Sequence, residues 1–278
     1  MQIAKIAHPT DFSAASNNAL AAAALIARQA GSKIMLAHAY VKPYLTEAYQ
    51  GALRAVVDKD LDKEIHEAIT AEVEKLATSD LLKGIPMSRK LFQDINPADI
   101  VEHLDEDTQL VVVGADDRTG LLGVLFGTLT ERIMRRSPVP VLVVPERVMV
   151  NRFKKVLLAT DFQSPLDSFL PFVKYLAGLF EGEIVIVHIN TAYNFATSAF
   201  AHEQFESLRA AHPYPNMRLL VHNDTDVAYA VQHLRKAENA DLVAMLTQGR
   251  TGIAALLQSS IAEELSSTLN VPLLSFRG

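Results

Sequence analysis

The stretch VVVGADDRTGLLGVLFGTLTERI, residues 111–133, has the residue types and order of an anion cradle. An apolar run ends at Gly114, a glycine-spotted loop follows, and Gly127-Thr128 opens a helical pattern. Glycines between a strand and a helix let backbone approach a phosphate closely, and the first N–H groups of the helix have no partner within it. The same residues also make a plain turn closed by a threonine cap. A second candidate is HPTDFS at 8–13, where Asp11 follows an apolar run. Read alone, that aspartate is a helix-capping acid. His38 and His188 sit mid-strand and read as core histidines. His222 with Asp224 offers two metal ligands at a strand end, and no third is placed by spacing. No Ser-His-Asp order, paired-acid motif or Walker lysine occurs in the chain. The chemistry on offer is therefore binding, and an enzyme reading has little to stand on.

The composition reads as globular, soluble and able to bury a good core. It has 278 residues, 49% hydrophobic and 21% charged, which suits two domains with good cores. Net charge is −6. Residues 1–147 carry 16 Lys+Arg against 20 Asp+Glu, and residues 148–278 carry 10 against 12. Neither half has the basic footprint of a nucleic-acid binder. Cysteine is absent, which excludes disulfides, thiolate metal sites and a cysteine nucleophile. The first residues lack a signal-peptide core, and the longest apolar run, ALAAAALIA at 19–27, is under half a membrane span. A cytoplasmic chain with no membrane partner is expected.

The elements that must position these residues occur twice. KIAHPTDFS at 5–13 resembles VLLATDFQS at 156–164, with Thr10-Asp11-Phe12 on Thr160-Asp161-Phe162 at an offset of 150, and KIMLAHAY at 33–40 matches EIVIVHIN at 183–190 at the same offset. LVVVGADDRTG at 110–120 matches LVAMLTQGRTG at 242–252, and SPVPVLVV at 137–144 matches LNVPLLSF at 269–276, both at 132. Four blocks in preserved order point to a duplication, the second copy being 18 residues shorter. Domain boundaries at 1–147 and 152–278 follow. Copy 1 reads as strands near 3–9, 33–40, 86–92, 109–114 and 140–144, with helices near 14–30, 53–80, 97–105 and 128–136. Copy 2 reads as strands near 154–160, 183–189, 217–222, 241–246 and 271–275. Strands alternating with helices predict an α/β fold with a doubly wound parallel sheet in each domain. Ligands in such sheets bind beyond the carboxyl ends of the strands, where Asp11 and Gly114 fall. The apolar last strands, VPVLVV and VPLLSF, predict that the copies cover each other as an intramolecular pseudo-dimer, with a homodimer of chains also open.

HPTDFS, LAHA, the glycine loop and SPVPVLVV together resemble a universal stress protein domain, and both copies carry the resemblance. It implies five strands per domain in the order 3-2-1-4-5, and a stress-response role in which bound ATP acts as a switch. ATP-binding members share G-x2-G-x9-G-[ST]. In copy 1 those positions hold Gly114, Asp117, Gly127 and Thr128; in copy 2 they hold Leu246, Gly249, Ser259 and Ser260. The resemblance implies a nucleotide site in copy 1 formed by Pro9, Thr10, Asp11, Ala39, Gly114, Asp117, Gly127, Thr128 and Leu129. Asp117 would stand near phosphate charge, and two unit charges at about 4 Å repel by roughly 4 kcal/mol at an effective dielectric near 20. A Mg²⁺ bridge would relieve this, so ATP with Mg²⁺ is the expected ligand. Leu246 adds a side chain where the loop should approach a ligand, so copy 2 is the weaker candidate. The alternatives are an interaction protein of the same fold without nucleotide, and a weak ATPase. An unidentified protein partner is expected either way.

Overall fold

The computed structural model describes residues 2–41, 54–116, 128–162, 166–192, 195–246 and 270–277; for residues 54–62 and 128 it describes the backbone only. The first half runs β1 (Lys5–Pro9), α1 (Ala14–Ala30), β2 (Lys33–Tyr40), α2 (Arg54–Ala77), β3 (Met87–Gln93), β4 (Leu110–Ala115), α3 (Thr128–Arg136) and β5 (Val141–Pro145). The second runs β6 (Lys155–Thr160), α4 (Leu170–Gly178), β7 (Glu183–Asn190), α5 (Ser198–Ala211), β8 (Met217–Asn223), α6 (Val227–Ala237), β9 (Leu242–Leu246) and β10 (Leu273–Phe276). The strands form one sheet in the order β3-β2-β1-β4-β5-β10-β9-β6-β7-β8. Within each half this is the order 3-2-1-4-5, and every pairing within a half is parallel. The halves meet where β5 and β10 pair antiparallel, with Leu142 opposite Leu274.

Alternation along the strands divides the core into two layers. Leu110 and Val112 of β4 join one buried cluster, Val111 and Val113 the other. Each cluster takes residues from both halves, so the apolar layers continue across the seam. Strands buried on both faces need apolar residues at every position, and β4, β5 and β9 have them almost throughout. At the amino ends of the first-half strands, the buried Lys5 ammonium is held by Asp105 and, at 2.6 Å, by Asp107.

Helix ends follow their local sequence. Ser13 caps α1 by accepting from the Ser16 N–H at 3.1 Å, and Gly31 closes it in the left-handed region at φ 69°. The segment expected as a helix over 97–105 is instead a 3-10 turn, Pro97–His103, capped by Asn96. A 3-10 helix rises about 2.0 Å per residue against 1.5 Å for an α-helix. The tighter coil spans more distance with few residues, and it delivers Asp105 to Lys5 at the opposite end of the sheet.

Candidate functional site

A cavity of about 350 Å³ opens beyond the carboxyl ends of β1, β2 and β4. That volume lies within the range of small-molecule clefts. Of the residues expected from sequence, Pro9, Thr10, Asp11, Ala39, Gly114 and Leu129 line it. Thr128 starts α3, and its side chain is outside the description. Asp117 and Gly127, and in the second half Gly249, Ser259 and Ser260, lie outside the described residues. The remaining wall includes Ser13, Ser16, His38, Pro97, Ile100, Val113, Asp116, Thr130 and Ile133, none of which the motif pattern singled out for this role. Pro97 and Ile100 come from the 3-10 turn, which Asp99 ties to Arg132 and Arg136 of α3.

The β1–α1 turn is built by local hydrogen bonds. Phe12 has a left-handed backbone at φ 63°, uncommon for a bulky residue. The Thr10 hydroxyl oxygen accepts from the Phe12 N–H at 3.1 Å, and Asp11 Oδ1 accepts from the Ser13 N–H at 3.0 Å. His38 Nδ1 donates to the Thr10 carbonyl at 2.7 Å, while the Phe12 ring lies 4.7 Å from the His38 ring. His38 is therefore a hydrogen-bonded strand histidine that also borders the cleft. In the second half Phe162 repeats the turn at φ 58°, with its N–H donating to Thr160 Oγ1 at 3.0 Å. Thr-Asp-Phe thus builds the turn in both halves, whatever the cleft above it holds.

Gly114 has a different role from a flexible loop glycine. Its φ is not positive, and it lies in β4. A Cβ there would stand 2.4 Å from the carbonyl carbon and oxygen of Ala15 and 2.7 Å from the Ser16 nitrogen. The missing side chain seats the first turn of α1 against β4. Thr130 of α3 then donates to the Gly114 carbonyl at 3.1 Å, which brings the two helix starts together over the strand end.

The second half replaces this arrangement. At the offset of 132, Leu246 stands for Gly114, and it is buried in the same core layer that holds Leu166, Phe169 and Leu170. Its first helix, α4, begins at Leu170, which corresponds to Leu20 at the offset of 150 and lies six positions later than the start of α1 at Ala14. A short 3-10 turn, Leu166–Ser168, fills the space before it. Asp161 is 5% exposed, whereas Asp11 is open to solvent. Asn190 Oδ1 accepts from Ala196 N at 2.9 Å and lies 3.2 Å from His188 Nε2, and Asn190 Nδ2 donates to Asn223 at 3.0 Å. The histidine read as core is fully buried here, with both ring nitrogens near partners.

Among the described residues the metal candidate gains no third ligand. His222 Nε2 lies 3.4 Å from Asp224 Oδ2, and its ring stacks near that of His233 at 6.1 Å. Among the described residues no group of three or more His, Cys, Asp or Glu is placed to hold a metal. No helix of the described residues is long and apolar enough to cross a membrane.

Comparison with known proteins matches this architecture. The model of the universal stress protein family matches residues 3–145 and again 152–277. Universal stress protein MJ0531 of Methanocaldococcus jannaschii is 28% identical over 142 residues, half of this chain and 81% of that protein. A universal stress protein from Archaeoglobus fulgidus superposes with a TM-score of 0.75 at 19% identity, covering 100% of this chain and 99% of that one. Protein PA1789 of Pseudomonas aeruginosa, described as functionally unknown, superposes with a TM-score of 0.60 at 17% identity, covering 99% and 92%. At these identities the superpositions speak for the fold. The family model covers nearly the whole chain, in two tandem matches, and the chain belongs to the universal stress protein family.

Proposed function

We propose that this stress protein binds ATP, or a similar nucleotide, in the cleft of its first half, and that occupancy changes how its surface meets a protein partner. One observation carries the reading. Six residues from separate stretches, Pro9, Thr10, Asp11, Ala39, Gly114 and Leu129, converge on a single 350 Å³ cavity at the strand ends. Apolar residues such as Ala39, Ile100 and Leu129 suit a base, while Thr10, Asp11 and Ser16 suit its polar attachments. Asp11 and Asp116 are both on this wall, so carboxylates are available to a divalent ion. The described residues assemble no metal cluster of their own, so Mg²⁺ would arrive with the phosphates and use these carboxylates as supplementary ligands. The second half is the weaker binder, because a buried leucine stands at the Gly114 position and Asn190 is already hydrogen-bonded to Ala196 and Asn223.

Mass spectrometry of protein denatured directly after gentle isolation tests the reading. Release of close to one nucleotide per chain is expected. Release of none, together with no binding of added ATP, would leave an interaction protein of the same fold. Residues 1–147 and 152–278 are the domains that this division of labour requires.

A further inference from the structure

His8 lies under the cleft and is fully buried. Its Nδ1 is 2.8 Å from the Val112 carbonyl, and its Nε2 is 3.2 Å from Ser16 Oγ. Ser16 Oγ and Thr10 Oγ1 are 3.0 Å apart, and both side chains line the cavity. Thr10 Oγ1 also accepts from the Phe12 N–H. Counting protons orients this chain. A carbonyl cannot donate, so the single N–H of a neutral His8 is on Nδ1. Nε2 must then accept, and among the described residues the Ser16 hydroxyl is the group placed to donate to it. The 3.0 Å hydrogen bond between Ser16 Oγ and Thr10 Oγ1 needs one proton, and with the Ser16 proton committed to His8 the Thr10 hydroxyl must supply it. Both hydroxyl protons are thereby turned away from the cleft. Each oxygen keeps one lone pair, and the floor presents acceptors only. Burial holds His8 in the neutral form this requires, lowering its pKa from 6.5 to about 4.

The second half shows what the same floor becomes without the chain. At the offset of 150, His8 is replaced by Leu158 and Ser16 by Leu166, and both leucines are buried in one cluster with Leu246. Only Thr160 remains, still accepting from Phe162. The polar partners have been exchanged together for an apolar plug. A buried histidine and serine that served packing alone would gain nothing over such leucines.

We propose that His8 is a positioning residue that keeps the Ser16 and Thr10 hydroxyls as acceptors, so that this floor recognises a hydrogen-bond donor of the ligand, a sugar hydroxyl or an exocyclic amino group. The proposal rests on the nucleotide reading above and adds which chemical group is read, and by what. Calorimetric titration tests it with ATP, 2′-deoxy-ATP, 3′-deoxy-ATP and the triphosphate of purine riboside, which lacks the 6-amino group, all with Mg²⁺. At least one donor-lacking analogue should bind the native chain about tenfold more weakly than ATP. That ratio should fall to near one in His8→Leu, which copies the second half, and in Ser16→Ala. A merely structural loss would lower the competent fraction and weaken all ligands alike, leaving the ratio unchanged. Nitrogen NMR of His8 supplies a second readout that needs no variant, with Nδ1 protonated and Nε2 bare. Analogues that all bind like ATP, a ratio that survives either substitution, or a proton on Nε2 would each overturn the proposal. An absence of heat from all four nucleotides would remove the nucleotide reading and the proposal together, which distinguishes that failure from the others.

Discussion

His8 also sets a pH dependence that can be worked out at the residue scale. In the unfolded chain it titrates near 6.5; in the folded chain burial delays protonation to about 4, despite the nearby Asp11 charge. Between these values the unfolded state binds more protons, so stability falls as pH drops from about 6.5 to about 4 and levels off below. The shift corresponds to roughly 3 kcal/mol across the window. Urea unfolding at pH 7.5 and 4.5 should show this loss, reduced in His8→Leu; an equal loss in both would place the proton elsewhere. Gly114 makes a second residue-scale prediction. Its Cβ would collide with backbone of Ala15 and Ser16, which cannot swing aside. Gly114→Ala should cost about 2 kcal/mol or more in the same assay, before any ligand is added. The motif reading found Gly114, Thr10 and Asp11 but assigned the glycine to ligand approach. Its steric reason becomes visible only when α1 is docked. His8 and Ser16 escaped because a strand residue and a helix residue eight apart have no periodic relation. Their joint replacement by Leu158 and Leu166 in the repeat was the available signal.

At the scale of elements, strands and capped helices were legible because burial on both faces and cap chemistry are local. Ser13, Gly31 and Asn96 close their elements with their own cap chemistry. The 3-10 turn at Pro97–His103 was not legible, since the distance it must span is set by Lys5 far away in sequence. The late start of α4 was not legible either, since the matching residues of the repeat predict a helix six positions earlier. The 3-10 turn carries one cavity wall and is held to α3 by Asp99 with Arg132 and Arg136. These groups are partly exposed, so the coupling should be modest, about 1 kcal/mol or less. A double-mutant cycle with Asp99→Asn and Arg136→Gln should report it. Hydrogen exchange over 97–103 should quicken in the single variants. Unchanged exchange would show that apolar packing alone holds the wall.

For the whole molecule, pairing of β5 with β10 makes one ten-stranded sheet of two similar halves. The duplication and the apolar last strands foretold that these strands need cover; their antiparallel register is a property of the assembled chain. A fragment ending near residue 147 keeps five strands but exposes β5 as an apolar edge. It should fold and self-associate in sedimentation, and a strictly monomeric, folded fragment would contradict the importance of the seam. The two halves share a turn motif and a strand order but differ beneath the cleft, where one has His8, Ser16 and Gly114 and the other three leucines. This asymmetry is the central claim, and stoichiometry tests it directly. Titration of ATP with Mg²⁺ into the full chain, and into Ala39→Phe, whose larger ring fills the first cleft, should give one site per chain that disappears in the variant. Two equal sites, or one site undiminished by Ala39→Phe, would contradict it.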